Sequence, residues 1–182
     1  GNKAPDFELK DSGGQAHRLS DALERGPVVL AFYKSECPTC QFTFPHVQKV
    51  FSRVGTTAGW TLWGVSQNDT DETRRFAKEY GIIFDLLVDE YPYPVSAAYG
   101  IEYVPALFLI QPEGNITLSV FGFTKAGLNQ IAGATITSRR PAWKQFPGPA
   151  SASIVRSSNA ANLVIRGQTS KSPNYKRGAA EL

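Results

Sequence analysis

Apolar positions along this chain follow two patterns, and together they predict an α/β protein. Residues 27–33, Pro-Val-Val-Leu-Ala-Phe-Tyr, form a nearly unbroken apolar run, which is typical of a strand buried on both faces of a parallel sheet. Farther along, apolar residues recur at helical spacing, at Phe44, Val47, Phe51 and Val54. This spacing predicts a helix from Thr39, at the second cysteine, to about residue 58, and Pro45 within it predicts a kink.

The residues that follow continue the alternation of strands and helices. An acidic start at residues 69–72 and a stripe of Thr73, Phe76, Ala77 and Tyr80 predict a second helix. The remaining patterns predict strands at 60–66, 84–88, 106–111 and 117–121 and helices at 95–99 and 125–136. Together these elements predict a sheet covered by helices on both sides.

Composition then divides the chain into a domain and an extension. The 182 residues are 42% hydrophobic, which is enough for one domain with a continuous core. Residues 139–182 carry eight Lys and Arg and one acidic residue, whereas residues 1–138 carry 11 basic and 15 acidic residues. We therefore expect one domain over residues 1–138 and a basic, Pro/Ser-rich C-terminal extension over residues 139–182. Because the charges of the extension are dispersed, we expect no nucleic-acid partner. We expect its apolar residues, Trp143, Phe146 and residues 163–165, to pack on the domain or on a partner chain.

Cys37 and Cys40 are the only cysteines of the chain. A disulfide between them would close a loop too short to add much stability, so their spacing indicates reactivity rather than a structural bridge. A structural zinc site would need two further ligands, and the only histidines, His17 and His46, are not spaced as a second ligand pair. The sequence therefore predicts no metal and no organic cofactor.

The segment Cys37-Pro38-Thr39-Cys40 lies between the first predicted strand and the body of the predicted helix. Unpaired N–H groups and the helix dipole stabilise a thiolate at a helix N-terminus, where Cys37 lies, and Cys40 lies one turn inside. Pro38 has no N–H to lose at this position and stiffens the turn. We therefore predict that Cys37 attacks a disulfide and that Cys40 resolves the resulting mixed disulfide.

Several motifs around the cysteines resemble the thioredoxin superfamily. The order of strand, Cys-Pro-Thr-Cys and helix with an internal proline, followed by Tyr-Val-Pro-Ala at residues 103–106, is similar to that superfamily. Other segments resemble its redoxin and TlpA-like branch, which is related to AhpC/TSA proteins: residues 4–9, 19–21, 44–45 and 108–114. The resemblance extends over about residues 4–136.

The resemblance implies a thioredoxin-like α/β fold, with a central mixed sheet, helices on both faces and a βα insertion of the TlpA and peroxiredoxin type. It also implies that the protein is a thiol–disulfide oxidoreductase. In the family, the residue that matches Pro105 is a cis proline facing the disulfide, so the Val104–Pro105 bond is expected to be cis. The substrate is then expected to contact Pro38, Thr39, Val104 and Pro105, with Tyr103 nearby.

Two positions depart from the residues that are usual in the family. Ala31 stands where thioredoxins often place a buried Asp, and Thr43 stands where TlpA-like reductases often have a carboxylate. The nearest carboxylate in the sequence is Glu36, which disfavours a thiolate at its neighbour. We treat Lys34, Ser35 and Glu36 as candidate modulators of the thiols, with a solvated loop acid as the alternative for Glu36.

Two other activities fit parts of the pattern. A peroxiredoxin-type thiol peroxidase would use Cys37 as its peroxidatic cysteine, but Leu30 and Lys34 stand where peroxiredoxins carry a Pro and a Thr or Ser. Peroxiredoxins also typically carry an Arg just before the strand that matches residues 106–111, and this chain has Val104-Pro105 there. A Sco-like metal chaperone fits less well, because that branch separates its cysteines by three residues and adds a distant His. A disulfide reductase or exchange catalyst is therefore the leading prediction.

The predicted partners follow from this chemistry. They are a disulfide-bearing protein or small-molecule substrate and an electron-donor reductase. No apolar run approaches the roughly 20 residues of a transmembrane helix, and no signal peptide is visible, so the sequence predicts neither. The absence of structural disulfides favours a cytoplasmic location, with export to the periplasm as the alternative.

Overall fold

The computed structural model describes residues 2–54 and 59–137, and within them seven strands and five helices follow one another. The strands are β1 (Glu8–Asp11), β2 (Ala16–Arg18), β3 (Val28–Tyr33), β4 (Thr61–Ser66), β5 (Leu86–Val88), β6 (Ala106–Ile110) and β7 (Ile116–Phe121). The helices are α1 (Leu19–Leu23), α2 (Pro38–Val54), α3 (Thr70–Tyr80), α4 (Pro94–Ala98) and α5 (Lys125–Thr137).

The seven strands form one mixed sheet in the order β2-β1-β5-β4-β3-β6-β7. β3 is parallel to β4, and β4 is parallel to β5. β6 and β7 add antiparallel strands on one side, and β1 and β2 add antiparallel strands on the other. β3 therefore lies inside the sheet, and the cysteines that follow it lie at the edge where β3 and β4 both end.

β3 is buried on both faces, as its unbroken apolar run predicts, and all six of its residues are inaccessible to solvent. Val29, Ala31 and Tyr33 belong to one core, which includes residues of α2, α3 and α5. The alternate residues of the strand belong to a second core, which includes residues of α1 and α4. Because side chains of a strand alternate between faces, a strand that is apolar at every position needs such a layer on both sides.

α2 begins at Pro38, one residue before its predicted start, and continues through Pro45 to Val54. Proline is favoured at the first position of a helix, since the N–H that it lacks would have no partner there. This explains why the helix starts earlier than its apolar spacing indicates.

α3 has a defined start and a defined end. The Asp69 side chain accepts a hydrogen bond from the Glu72 N–H at 2.7 Å, which caps the start of the helix. Gly81 ends the helix in a left-handed conformation, with φ of 64°, that other residues adopt only with strain. The cap at Asp69 places the N-terminus of α3 directly after the loop that follows β4.

The observed elements agree with the predicted ones from β3 onward, with bounds that differ by one or two residues. β1, β2 and α1 were not predicted, because they are three to five residues long and the two strands are only partly buried. The predicted βα insertion corresponds to α3 and β5, which extend the sheet beyond β4. Residues 55–58 of the predicted helix and the predicted extension at 139–182 lie outside the described residues.

Candidate active site

Cys37 lies at the N-terminal end of α2, immediately before its first residue, Pro38. Its N–H donates to the Lys34 carbonyl at 3.3 Å, and its own carbonyl accepts the Gln41 N–H at 3.0 Å, which closes the first turn of the helix. The thiol is free and half-buried. Cys37 therefore takes the cap position, where unpaired N–H groups and the helix dipole favour a negative sulfur.

Cys40 lies one turn inside α2 and is a free thiol with no exposed surface. Burial raises its pKa well above the ordinary value, and the neighbouring Cys37 sulfur and Glu36 carboxylate act in the same direction. A hydrogen bond with the Lys34 backbone opposes this rise only in part. Cys40 is therefore held as a neutral thiol within the core.

The Val104–Pro105 peptide bond lies beside Cys37 and is cis, as the resemblance implies. The Cys37 Sγ–H donates to the Val104 carbonyl oxygen, with a separation of 3.6 Å between the two atoms. Pro105 is followed directly by β6, which pairs with β3. The Val104 carbonyl thus lies beside the Cys37 sulfur, and the contact of Val104 and Pro105 with a substrate stays a prediction.

Glu36 is exposed, but hydrogen bonds hold its carboxylate in place. The Asn68 side-chain amide donates to Glu36 Oε2 at 3.0 Å and to Glu72 Oε2 at 2.9 Å. The Ser35 hydroxyl donates to Glu36 Oε2 at 3.2 Å, and the Ser35 N–H donates to Asn68 Oδ1 at 2.8 Å. The hydrogen bond from Asn68, ahead of that from Ser35, lowers the pKa of Glu36. Glu36 is thus a fixed negative charge at the start of α2 rather than a free loop acid.

Lys34 faces an open groove next to Val104. Its ammonium lies 5.6 Å from the centroid of the Tyr93 ring, within the range of a cation–π contact. Lys34, Tyr93, Tyr103 and Val104 line this groove, which has a volume of about 530 Å³. Tyr103 is 76% exposed, and its contact with a substrate stays a prediction. Among the described residues, neither Lys34 nor Ser35 donates a side-chain hydrogen bond to a cysteine sulfur.

Neither of the two positions where relatives often carry a base can supply one here. Ala31 is fully buried in β3. Thr43 is also fully buried, and its hydroxyl donates to the Thr39 carbonyl at 2.6 Å. The proton of Cys40 must therefore leave by another route when this thiol reacts.

Tyr33, at the end of β3, places a phenol in the same core as Cys40. Its ring packs against Phe44 and Phe76, with centroids 4.4 and 4.6 Å away. Its hydroxyl lies near those of Ser66 and Thr73, which bond to each other at 2.7 Å, yet it has no hydrogen-bond partner within residues 2–54 and 59–137. Burial raises the pKa of Tyr33 to about 12, so the phenol stays neutral.

The two histidines lie in other parts of the fold. His17 is in β2, four strands from β3, where its Nε2 is 2.9 Å from Asp11 Oδ2. His46 lies on α2 and packs against Phe42 and Phe123, with ring centroids 5.1 and 5.2 Å away. In the part of the chain that the structure describes, no group of three or more His, Cys, Asp or Glu side chains is arranged to hold a metal ion.

The sequence reasoning missed Asn68, whose amide donates to both the Glu36 and the Glu72 carboxylates. Asn68 follows β4 by two residues, and β4 is parallel to β3. Polar residues that follow neighbouring parallel strands meet at the same edge of a sheet, which is where ligands commonly bind. This rule, applied to the residues that follow β4, is the signal that could have found Asn68.

The fold and the site together define a class of protein. A Cys-X-X-Cys motif at the start of the helix that follows a central strand, with a cis proline beside it, is the arrangement of a thiol–disulfide oxidoreductase. Residues 1–119 match the sequence profile of the AhpC/TSA family, and the chain belongs to this family. It is 30% identical over 132 residues to the thiol-disulfide oxidoreductase ResA of Geobacillus thermodenitrificans, an alignment that covers 71% of this chain and 74% of the relative.

Solved structures show the same fold. A candidate thiol:disulfide interchange protein DsbE from Chlorobium tepidum matches with a TM-score of 0.67 and 26% identity, over 76% of this chain and 96% of that one. The peroxidoxin BcpB from Mycobacterium tuberculosis matches with a TM-score of 0.65 and 25% identity, over 77% of this chain and 97% of that one. The predicted thioredoxin-like fold is confirmed, and the similarity to ResA and DsbE identifies the chain as a thiol–disulfide oxidoreductase.

Within residues 2–54 and 59–137, no helix combines the length and the apolar character that crossing a bilayer requires.

Proposed function

We propose that the protein reduces or exchanges disulfides through a relay in which Cys37 attacks and Cys40 resolves. The contrast in burial between the two thiols carries this assignment. Cys37 is half-buried at the helix cap, whereas Cys40 has no exposed surface and a raised pKa. A substrate from solution can therefore meet the sulfur of Cys37 first, and a thiolate forms more readily at the cap than in the core.

The first step joins the protein to its substrate. The thiolate of Cys37, whose proton has gone to solvent, attacks one sulfur of the substrate disulfide. A bond forms between Cys37 Sγ and that sulfur, the substrate S–S bond breaks, and the other substrate sulfur leaves as a thiolate. The product is a mixed disulfide that holds the substrate beside Val104.

The second step releases the substrate. The departing thiolate takes the proton of Cys40, because Ala31 and Thr43 provide no base. The Cys40 thiolate then attacks Cys37 Sγ, the Cys37–Cys40 disulfide forms, and the second substrate sulfur leaves and is protonated from solvent. The protein loses two electrons and the substrate gains two, so the balance is one protein disulfide for two substrate thiols.

The proposed substrate contacts surround Cys37. Pro38 and Thr39 are exposed on the first turn of α2, and the Val104 carbonyl lies 3.6 Å from the Cys37 sulfur. In the reduced protein this carbonyl accepts the Cys37 S–H. When the sulfur is joined to a substrate, the same carbonyl becomes available to an N–H of the bound molecule.

Turnover requires a partner that reduces the Cys37–Cys40 disulfide again. We propose an electron-donor reductase that carries a dithiol and reacts by the same exchange chemistry in reverse. The substrate is a disulfide-bearing protein or small molecule. The direction of net electron flow depends on the reduction potential of the pair and on its compartment, cytoplasmic or exported, and a titration against glutathione measures the first of these.

A comparison of two oxidants tests this function against the peroxidase alternative. We expect the reduced protein to react slowly with hydrogen peroxide in stopped-flow experiments, and faster with a protein disulfide such as that of insulin. Lys34 stands where peroxiredoxins carry a hydroxyl, and its ammonium lies over the Tyr93 ring, so the leaving oxygen of a peroxide lacks that hydroxyl donor.

The Cys37→Ser variant is the control, and it is expected to react with neither oxidant. A rate constant for peroxide on the order of 10⁶ M⁻¹s⁻¹ or higher, with slow insulin reduction, would replace the oxidoreductase relay by a peroxidase.

A further inference from the structure

A second open cavity lies next to Glu36, between the start of α3 and the loop that follows β5. Its volume is about 590 Å³. Four carboxylates and two tyrosines contribute to its lining: Glu36, Asp69, Glu72, Glu90, Tyr91 and Tyr93. Carboxylates and aromatic faces are the groups that proteins use to bind organic cations.

Asn68 holds two of these carboxylates close to each other. Its amide donates one hydrogen bond to Glu36 at 3.0 Å and another to Glu72 at 2.9 Å. Two negative groups bound to one amide repel each other, and a cation placed near both would remove that repulsion. Arg75 pairs with the other oxygen of Glu72 at 3.8 Å, and Glu90 has no ion pair or side-chain hydrogen bond among the described residues.

The side-chain amide of Gln67 gives a second, independent indication of a ligand. The residue is only 9% exposed, and it lines both this cavity and the groove beside Val104. Its backbone N–H donates to the Tyr33 carbonyl, but its side-chain amide has no hydrogen bond within residues 2–54 and 59–137. In the part of the chain that the structure describes, the Tyr33 hydroxyl is the one fully enclosed side-chain group without a partner, so the Gln67 amide keeps contact with solvent. Because Gln67 lines both openings, a polar group of a bound molecule can reach that amide.

Tyr91 and Tyr93 line the other side of the cavity, on a loop that is anchored to the fold. Tyr91 is 85% exposed, and its ring meets the Tyr93 ring edge to face at 5.7 Å. The loop that carries them is anchored by Asp89, which is fully buried and accepts the N–H and the hydroxyl of Ser96, both at 2.7 Å. The Tyr93 ring already lies within cation–π distance of Lys34. Because Lys34 already contacts Tyr93, a cationic group in the cavity would meet the exposed Tyr91 ring together with the carboxylates.

We propose that this cavity binds an Arg or Lys side chain of a polypeptide substrate, close to the disulfide that Cys37 attacks. Glu36 lines the cavity and directly precedes Cys37, so a basic residue a few positions from the substrate cysteine would lie within reach. A guanidinium suits the site best, because it can bind two carboxylates at once and stack on a tyrosine. The inference rests on the proposed function and adds the class of substrate: polypeptides that carry positive charge beside the reactive cysteine.

The test uses three synthetic peptides of equal length. Each carries one cysteine in a disulfide with 2-mercaptoethanol, and the flanking residues are Arg, Ser or Glu. The reaction of each peptide with the reduced protein is quenched with acid and followed by mass spectrometry. Each rate constant is divided by that of the same peptide with dithiothreitol, which removes differences in intrinsic reactivity. We expect the Arg peptide to react about tenfold faster than the Glu peptide, which corresponds to about 1.4 kcal/mol.

Two further measurements distinguish binding in this cavity from a general effect of the protein's net charge on the rates. In the double variant Glu72→Gln/Glu90→Gln, we expect the Arg-to-Glu rate ratio to fall toward one. The matched control Glu24→Gln/Glu113→Gln changes the net charge equally at exposed residues near the opposite end of β3, and it should keep the ratio. In the unchanged protein, raising the salt concentration from about 10 mM to about 1 M shortens the screening length roughly tenfold and should also reduce the ratio.

The possible results are distinct. A ratio near one in the unchanged protein, with all three peptides reduced, would overturn the cationic site and leave the proposed function intact. An equal fall of the ratio in both double variants would also overturn it, because the effect would then come from overall charge. Failure to reduce any of the three peptides would remove the proposed function and this inference with it.

Discussion

Cys37 and Cys40 carry the same thiol one helical turn apart, yet the fold surrounds them differently. Cys37 is half-buried at the cap of α2, with the Val104 carbonyl 3.6 Å from its sulfur. Cys40 has no exposed surface and shares a core with Phe44, and burial raises its pKa. The cap residue lies at the edge of the sheet, whereas the residue one turn inside faces the sheet itself.

This difference shows that the motif alone does not set the roles of its cysteines. A thiolate is favoured where N–H groups are free and water can reach the sulfur, and it is disfavoured in an apolar core. In the proposed relay, the sulfur of Cys37 is open to a substrate, and the buried Cys40 stays protonated until a mixed disulfide forms next to it.

Replacing each cysteine by serine is expected to have the largest effects and to separate the two roles. Cys37→Ser should lower insulin reduction by at least roughly a thousandfold, because the attacking group is lost. Cys40→Ser should also stop turnover, but it should accumulate a mixed disulfide through Cys37. Non-reducing mass spectrometry after addition of a disulfide substrate measures this. A mixed disulfide on Cys40 in the Cys37→Ser variant would reverse the assignment.

Alkylation of the reduced protein should show the same contrast without any substitution. We expect iodoacetamide to modify Cys37 at least about tenfold faster than Cys40, because the second thiol is buried and protonated. Peptide mapping by mass spectrometry gives both rates from one sample. The same reaction in denaturant is the control and should bring the two rates together. Equal rates in the folded protein would show that Cys40 is accessible in solution.

Removing the Glu36 charge should change the alkylation rate of Cys37 by a smaller factor. In Glu36→Gln the negative charge is lost, so a thiolate at Cys37 is less disfavoured, and we expect alkylation about threefold faster at low salt. Glu79→Gln, an exposed carboxylate near the end of α3, is the matched control and should react as the unchanged protein does. An unchanged rate in Glu36→Gln would mean that solvent screens this charge completely.

The raised pKa of Cys40 also predicts that the stability of the protein depends on pH. Its stabilising contribution is present below the pKa of an unfolded cysteine and is lost as pH rises, because only the unfolded chain then releases the proton. Under reducing conditions the free energy of unfolding should fall by about 2 kcal/mol more than that of Cys40→Ser between pH 8 and pH 10. Denaturant titrations at each pH measure this difference, and parallel curves for the two proteins would contradict the prediction.

The sequence by itself determined the central part of the fold and the reactive pair. An apolar run at residues 27–33 can be stable only as a strand covered on both faces, and it forms the fully buried β3. The helical spacing of Phe44, Val47 and Phe51 likewise determined α2. Both signals are local, because a strand or a helix repeats its contacts within a few residues. The reactivity of the two cysteines followed from their spacing and their place between strand and helix.

Tertiary structure alone decided the edges of the sheet and the surroundings of the thiols. β1 reaches its place by pairing with β5, and the paired residues Lys10 and Val88 are 78 positions apart in the chain. Nothing in the four residues of β1, two of them exposed, encodes that partner. Asn68 meets the Glu36 carboxylate across 32 residues only because β3 and β4 are parallel and end at the same edge. Such contacts depend on how distant segments are brought together, which local patterns of apolar and polar residues do not record.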